Sequence, residues 1–374
     1  MKRILTGGVV LALLGGLVWW TSSSSKENQS SRVTAQNGDA SKSQNDPGLQ
    51  VSGNTQREML LAMLASGVGI KSTQLSTRIK EILIFDATLH MDANRANSEV
   101  VQKMNEAGVT MALLQDGNDK PSETQQSSAL IRENPTRFML GAPKMTGLWT
   151  KSADTYADTL KEQLQSEQIH SLGEIYLHYN CQLPEENEPV SVDPDSPAVH
   201  AIAKLAAERN VPLFIHYEPM KEGSHLRSLK QLLSSEPETT FIWAHAGWET
   251  ATTIGDLLAQ HPNLYATLAK RIGPGQLCDQ TLQARVAEQR EILTREGRLK
   301  KEWRKLLRAH AKRFLFASDA DASEVLGEAY IQQLDKLRYA IALDLKPRQI
   351  RRILHINAIR LFAPDVLKEF GEQK

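Results

Sequence analysis

Four short apolar runs of the sequence each end in a side chain that can ligate a metal ion. The runs ILIFDATLH, VPLFIH, TFIWAH and FLFASD end in His90, His216, His245 and Asp319. Imidazole and carboxylate groups together suit Zn²⁺, or a similar divalent ion such as Mn²⁺. An ion of this kind lowers the pKa of bound water to about 7, and a nearby carboxylate can then accept the proton. The pattern therefore indicates metal-assisted hydrolysis.

Apolar strands that present such groups at their C-terminal ends are typical of a (β/α)8 barrel, which gathers its catalytic side chains there. A doubly wound sheet has the same local pattern and differs only in the number of strands. Eight strands alternating with helices are predicted, at residues 82–88, 109–114, 137–142, 173–178, 212–216, 240–245, 263–268 and 313–318. We therefore predict an α/β protein with a (β/α)8 barrel over residues 57–374, which begins with a short helix at Glu58–Ser66.

The first twenty residues indicate export. Lys2 and Arg3 precede an uncharged run that ends in Trp19 and Trp20, and indole rings favour a membrane interface. The run has about 17 residues, which is near the lower limit for a membrane span. We predict an uncleaved signal anchor in the inner membrane, with the body on the periplasmic side. Cleavage of the signal, which would release a secreted protein, is the alternative.

Amino-acid composition indicates how other parts of the chain are organised and which partners are excluded. Residues 21–56 are rich in Ser, Asn, Gln and Gly and are predicted to form a disordered linker. The charged stretch at about 276–312 is predicted to be a helical excursion after the seventh strand. The chain has 44 basic and 44 acidic side chains, and this zero balance argues against nucleic-acid binding. Cys181 and Cys278 lack ligand spacing. The sequence leaves their pairing and the oligomeric state open.

Five segments, in this order, resemble the amidohydrolase superfamily, specifically its amidohydrolase-related branch. They are FDATLHMD, LFIHYEP, FIWAHAGW, FASDAD and NAIRLF, and the resemblance covers roughly residues 80–363. It implies a distorted barrel that holds one or two divalent ions for hydrolysis. His90 matches the second histidine of the pair on strand one, and His216 and His245 match the histidines that end strands five and six. Asp319 matches the aspartate that binds metal and moves the proton of the attacking water.

Thr88 departs from the family pattern. It stands where the family has the first histidine of strand one, and a threonine hydroxyl is a poor ligand beside imidazole. The chain is therefore left with two interpretations, a mononuclear site and a barrel that has lost its metal.

Strand four adds a candidate ligand. The segment LGEIYLHYN resembles the GEIGLDY stretch of TatD-like nucleases, which implies that Glu174 ligates metal. Period-two alternation places Glu174, Tyr176 and His178 on one side of the strand. We therefore predict that His178 contacts substrate. Pairing of Glu174 with a buried Lys or Arg is the alternative.

Three further residues near strand ends are predicted to bind substrate. Glu218 and Trp248 follow the histidines that end strands five and six, and Arg271 follows strand seven. For Arg271 the alternative is an exposed salt bridge.

The leading functional hypothesis is a hydrolase in which Asp319 and His245 act on a small-molecule amide, lactone or ester. Decarboxylation is also known in this branch. One alternative is a metal-free barrel that serves as a membrane-tethered binding or scaffold protein. A TatD-like nuclease is a minor alternative, which fits Glu174 but not the balanced charge. The sequence does not encode the substrate.

Overall fold

The computed structural model describes residues 55–91, 98–116, 129–142, 149, 152–166, 168–182, 189–218, 226–271 and 291–371. Nine strands are present in these residues: β1 (Ile84–Met91), β2 (Val109–Asp116), β3 (Phe138–Leu140), β4 (Leu172–Gln182), β5 (Pro189–Ser191), β6 (Leu213–Tyr217), β7 (Phe241–Trp243), β8 (Leu264–Thr267) and β9 (Phe314–Leu315).

Helices alternate with these strands. They are α1 (Gln56–Ala65), α2 (Leu75–Arg78), α3 (Ser98–Glu106), α4 (Ala153–Ser166), α5 (Pro197–Arg209), α6 (Leu226–Ser235), α7 (Ala251–Gln260), α8 (Lys301–His310), α9 (Ala322–Leu326), α10 (Glu328–Asp344), α11 (Pro347–Arg351), α12 (Asn357–Phe362) and α13 (Pro364–Phe370). A π-helical turn, Arg352–Ile356, joins α11 to α12.

Eight parallel strands enclose a distorted barrel, as predicted. Strands β1-β2-β3 form one sheet, and β4-β6-β7-β8-β9 form the parallel part of a second sheet. Backbone hydrogen bonds join the sheets at both seams. The N–H of Ala142 donates to Ser171 O at 2.8 Å, and the N–H of Ala87 donates to Phe316 O at 3.0 Å. The ninth strand, β5, pairs antiparallel with β4 and was not predicted.

Local sequence accounts for these elements. Strands β6 and β7 are buried along their whole length and, apart from His216, consist of apolar and aromatic residues, as parallel strands covered on both faces require. Thr55 and Glu58 form a capping box that starts α1, because each side chain satisfies the other's backbone N–H. Helix α5 begins with Pro197 and is followed by Asn210, which has a left-handed φ of 54°. Proline at the start and a left-handed residue at the end are common helix boundaries.

Apolar side chains from α1, α12 and α13 close the N-terminal end of the barrel. The ring of Phe362 lies 5.7 Å from the ring of Phe85 and 6.3 Å from that of Phe214. Met63 packs in the same buried cluster. His355 donates from Nδ1 to the carbonyl of Leu83, just before β1, at 2.9 Å. With this end closed, the C-terminal ends of the strands remain for a functional site.

Several predictions fall partly or wholly outside the described residues. The predicted anchor at 1–20, nearly all of the predicted linker at 21–56, and Cys278 lie there. In the part of the chain that the structure describes, no helix is long and apolar enough to cross a membrane. The described part of the predicted helical excursion, residues 291–312, contains α8, the helix that leads into β9.

We expect Phe362→Ala to destabilise the fold by about 3–5 kcal/mol, because it removes a ring that is packed between two others and leaves a cavity. Chemical denaturation would measure the loss. The matched control is Tyr339→Ala, because this aromatic side chain is 44% exposed and its truncation should cost much less. Equal losses in the two variants would contradict the role of Phe362 in closing the barrel.

Candidate metal centre

Five side chains that can ligate metal converge at the C-terminal end of the barrel. They form two sets that share Glu174, and within each set the ligand atoms lie within 4.8 Å of one another. The sets are Glu174, His216 and His245, and His90, Glu174 and Asp319. His90, Glu174 and His216 lie on β1, β4 and β6. His245 and Asp319 lie beyond β7 and β9 rather than at their last residues.

The imidazoles of His90 and His245 each lie within 4.0 Å of the carboxylates of both Glu174 and Asp319, and each ring approaches a different oxygen atom of each carboxylate. Nε2 of His90 lies 3.0 Å from Oδ1 of Asp319 and 3.9 Å from Oε2 of Glu174. Nε2 of His245 lies 3.8 Å from Oδ2 of Asp319 and 4.0 Å from Oε1 of Glu174. Ligands at about 2.1 Å from a tetrahedral zinc ion are about 3.4 Å apart. The observed separations lie on either side of this value.

Backbone carbonyls orient two of the imidazole rings. His90 donates from Nδ1 to the carbonyl of Gln115 at 3.1 Å, and His245 donates from Nδ1 to that of Ala269 at 3.3 Å. Because a carbonyl only accepts, each ring carries a hydrogen on Nδ1. The neutral form of the ring then has the lone pair of Nε2 available to a metal ion, whereas the protonated form can donate from Nε2. Burial lowers the pKa of His245 below its ordinary value, although the nearby carboxylate of Asp319 acts to raise it. The chemistry of the donor set therefore fits a metal ion.

His216 lies between two carboxylates. Its Nδ1 is 2.6 Å from Oε1 of Glu174, and its Nε2 is 2.9 Å from Oε1 of Glu218. Burial acts to lower the pKa of His216, but attraction and hydrogen bonding from the two carboxylates outweigh it and raise the pKa to about 10. At neutral pH His216 is therefore an imidazolium that donates to both acids, and it must lose a proton before it can ligate metal.

Glu218 was predicted to contact substrate. The structure places it at 3% exposure against His216, on the side of the ring opposite to Glu174. Its carboxylate therefore stabilises the charge of His216.

Asp319 is held in an ionised form. It has a left-handed φ of 55°, and its N–H donates to the carbonyl of Thr88 at 3.0 Å. Burial acts to raise the pKa of Asp319, but attraction to His245 and hydrogen bonding from His90 outweigh it and lower the pKa to about 2. Asp319 is therefore a carboxylate at any working pH, in a position to bind metal and to accept a proton.

Thr88 contributes no donor to either set. Its hydroxyl donates to the carbonyl of Ala87 at 2.8 Å, and the residue is 3% exposed. The donors therefore come from the remaining strand ends, with Glu174 of β4 taking part in both sets.

Asp86 is a positioning residue that sequence reasoning missed. Its Oδ1 accepts from the N–H of Ser318 at 2.8 Å and from that of Thr88 at 3.3 Å. These bonds connect β1 to the residue that precedes Asp319. Burial raises the pKa of Asp86 to about 7, and hydrogen bonds from Ser318 and Thr88 limit this rise. The signal that could have found it is an aspartate in the middle of an apolar strand.

A register shift changes which residues of β4 face the site. Two residues of β4 oppose one of β6 between Tyr176 and His178, which breaks strict alternation. As a result, both Tyr176 and Tyr179 contact the ring of His216, with ring centroids 5.0 and 5.1 Å away. His178, predicted to be in the site, is outside both metal-ligating sets and lies edge-on to Tyr217 instead. Strict alternation along β4 therefore ends at Tyr176.

A left-handed turn carries His245. His245, Ala246 and Trp248 have φ values of 55°, 48° and 55°, which are uncommon for residues with a Cβ. Gly247 also has a positive φ, and a Cβ there would lie 1.8 Å from the ring of Trp243, so only glycine fits. The turn stacks the Trp248 ring on the imidazole of His245 at 4.6 Å and 6°.

Arg271 stabilises this turn through hydrogen bonds to backbone carbonyls. Its Nη1 donates to the carbonyl of His245 at 3.1 Å and its Nη2 to that of Glu249 at 2.9 Å. The guanidinium also lies over the rings of Trp248 and Trp303, at 5.7 and 4.5 Å from their centroids. Arg271 is 1% exposed, so the alternative of an exposed salt bridge is wrong. Arg271 and Trp248 were predicted to bind substrate. In the structure they support His245.

Comparisons with known proteins agree with this architecture. The model of a family described as amidohydrolase matches residues 181–363. An uncharacterised TIM-barrel protein from Bordetella bronchiseptica aligns over 77% of this chain and 99% of its own, at 14% identity and a TM-score of 0.50. An amidohydrolase from Burkholderia multivorans with bound HEPES aligns over 75% and 99%, at 13% identity and a TM-score of 0.50.

Another crystal form of the Burkholderia multivorans protein is described with bound zinc, and it aligns over 75% of this chain and 99% of its own at 13% identity and a TM-score of 0.48. A search of the curated proteins finds no match. The resemblance to amidohydrolases is confirmed, and the solved structures show the barrel fold.

Asp86→Asn should remove a pH dependence of stability. In the wild type this carboxyl stays protonated in the folded state up to a pH of about 7, whereas its ordinary pKa is 3.8. The folded state therefore binds the extra proton in this range, and stability falls as pH rises from about 4 to 7. The asparagine variant keeps an acceptor for the N–H of Ser318, and its free energy of unfolding should gain about 2–4 kcal/mol relative to that of wild type as pH rises across this window. Chemical denaturation of both proteins at five pH values would measure this difference. Free energies of unfolding that change with pH in parallel would contradict the prediction.

Arg271→Lys should weaken zinc binding by about 10–100-fold, the usual cost of losing a group that orients a ligand. A lysine cannot donate to both carbonyls that now hold the His245 turn. Competition with a chelator would measure the affinity. Arg313→Lys is the matched control, since Arg313 also donates to a carbonyl, that of Leu264, and lies over the ring of Tyr265. An equal loss in both variants, or none in Arg271→Lys, would refute the positioning role.

Proposed function

We propose that this chain, whose residues 181–363 match the amidohydrolase family model, is a metal-dependent hydrolase. One observation supports this most strongly. The imidazoles of His90 and His245 each donate from Nδ1 to a backbone carbonyl, and the Nε2 atom of each lies 3.0–4.0 Å from the carboxylates of Glu174 and Asp319. An arrangement of two oriented imidazoles and two carboxylates is the donor set of a divalent metal site.

His90, Glu174, His245 and Asp319 would hold the ion, which we propose to be zinc, with manganese as the alternative. A divalent ion supplies Lewis acidity, which makes water more acidic and a carbonyl more electrophilic. His216 becomes a fifth ligand if it loses its proton.

Asp319 is the proposed general base. Its pKa of about 2 keeps it ionised, and its Oδ1 is 3.0 Å from Nε2 of His90, so it lies inside the donor set. A carboxylate in this position can take a proton from an attacking water and pass it to the leaving group. His245 contributes through its position on the turn that Arg271 and Trp248 hold.

The substrate class that we propose is a small-molecule amide, lactone or ester. Tyr176 and Tyr179, whose rings stack at 4.8 Å, lie against His216 and offer an aromatic surface beside the donor set. Such a surface suits the flat acyl or ring portion of a small substrate.

A metal-free barrel that serves as a binding or scaffold protein is the second candidate. Thr88 favours it, because the hydroxyl that replaces the family's histidine donates to the backbone instead of pointing into the site. Metal content separates the two candidates directly.

We further propose that the protein acts outside the cytoplasm. Lys2 and Arg3 followed by the apolar run to Trp20 support an export signal, with membrane anchoring and secretion as its two outcomes. The substrate would then be an extracytoplasmic small molecule.

Asp319→Asn should abolish hydrolysis and weaken zinc binding. Replacing the base removes both a ligand charge and the proton acceptor, so we expect turnover to fall by about 10²–10⁴-fold on a panel of esters, lactones and amides. Wild-type protein should carry about one zinc per chain after dialysis, measured by elemental analysis. Asp365→Asn is the control, because that carboxylate is exposed on α13.

Two results would overturn the proposal. One is full activity in Asp319→Asn, and the other is a wild-type protein that takes up neither zinc nor manganese. The second result would support the scaffold candidate instead.

A further inference from the structure

Four arginines line one cavity at the N-terminal end of the barrel. The cavity has a volume of about 480 Å³, and Arg348, Arg351, Arg352 and Arg360 contribute to its wall together with the segment 67–70. Of the described residues that form this wall, none is acidic. The cavity volume is in the range of small-molecule sites, which is about 300–1,000 Å³.

The surrounding sequence concentrates positive charge. Residues 345–364 include Lys346 and the four arginines but no aspartate or glutamate. The chain as a whole has a formal net charge of zero. This segment is therefore a local basic patch in a protein whose formal net charge is zero, and the net charge alone does not reveal it.

Helix geometry places these charges close together. Arg348, Arg351 and Arg352 are spaced three and four residues apart on α11 and the π-helical turn. Side chains at these spacings lie on one helix face.

The side chain of Arg351 is held in place in the cavity wall. It is 8% exposed and donates from Nε to the carbonyl of Ser66 at 2.9 Å and from Nη2 to that of Leu64, which fastens α11 to the end of α1. Arg360 is half-buried on α12, and no described residue forms an ion pair with it. An anionic group in the cavity would therefore lie next to the guanidinium of Arg351, which is held in place by backbone carbonyls, and next to that of Arg360.

We propose that this cavity binds a phosphate-bearing anion. The planar guanidinium fork matches two oxygens of a phosphate at once, and four such groups around a cavity of this size suit a ligand with one or two phosphates. The phosphate can belong to a soluble molecule or to a lipid headgroup, because the recognising chemistry is the same.

The site is distinct from the metal centre. Gly67 lies at the N-terminal side of β1, where a Cβ would meet the Ile82 side chain at 2.6 Å. The metal donors lie beyond the opposite ends of the strands. The proposal therefore does not depend on the proposed function.

The test uses the full chain and the double variant Arg348→Gln/Arg360→Gln, which leaves the structural Arg351 in place. In one arm, calorimetry measures the binding of inorganic pyrophosphate. In the other, co-sedimentation measures binding to phosphatidylglycerol vesicles, with phosphatidylcholine vesicles as reference. We expect affinity in at least one arm to fall tenfold or more in the variant and to weaken with added salt.

The control variant Arg132→Gln/Arg227→Gln removes two exposed charges on other helices and should bind like wild type. Pyrophosphate binding that only the cavity variant loses supports a soluble ligand, and vesicle binding that only this variant loses supports a lipid headgroup. The proposal is overturned if wild type binds neither probe, or if the cavity variant and the control bind alike. Circular dichroism would establish that both variants are folded.

Discussion

The site depends on the burial of one carboxylate, that of Glu174. It is 2% exposed, and a buried carboxylate is costly unless charged or hydrogen-bonding groups surround it. His216 supplies that partner at 2.6 Å, while His90 and His245 approach it from two other strands. A divalent ion would satisfy the same charge. Glu174 is therefore the residue at which the three imidazoles come together.

Groups that never touch the centre of the site fix its geometry. Backbone carbonyls hold the rings of His90 and His245, and Asp86 connects β1 to the strand end that carries Asp319. Arg271 fastens the left-handed turn that presents His245. The imidazoles are therefore oriented before any ligand binds, which is how a protein lowers the cost of assembling a metal site.

Sequence patterns predicted the barrel and four of the side chains that the structure brings together, because apolar runs followed by His or Asp are a strong local feature. Glu174 lies in one of the predicted strands, and its placement among the donors matches the resemblance to TatD-like nucleases. Alternation failed at His178 because a register shift in β4 turns Tyr179 toward the site instead. Arg271 could not be placed from sequence, because its burial depends on a turn of four left-handed residues and on two tryptophans that lie far apart in the chain. The sequence analysis did not find the basic cavity, because the zero net charge of the whole chain does not show that basic residues are concentrated in residues 345–364.

The most direct measurement is a crystal structure of the zinc-loaded protein with anomalous scattering recorded at the zinc absorption edge. We expect one strong peak in contact with His90, Glu174, His245 and Asp319. A peak bound elsewhere, or the absence of a peak from protein that contains stoichiometric zinc in solution, would contradict this assignment of the metal site.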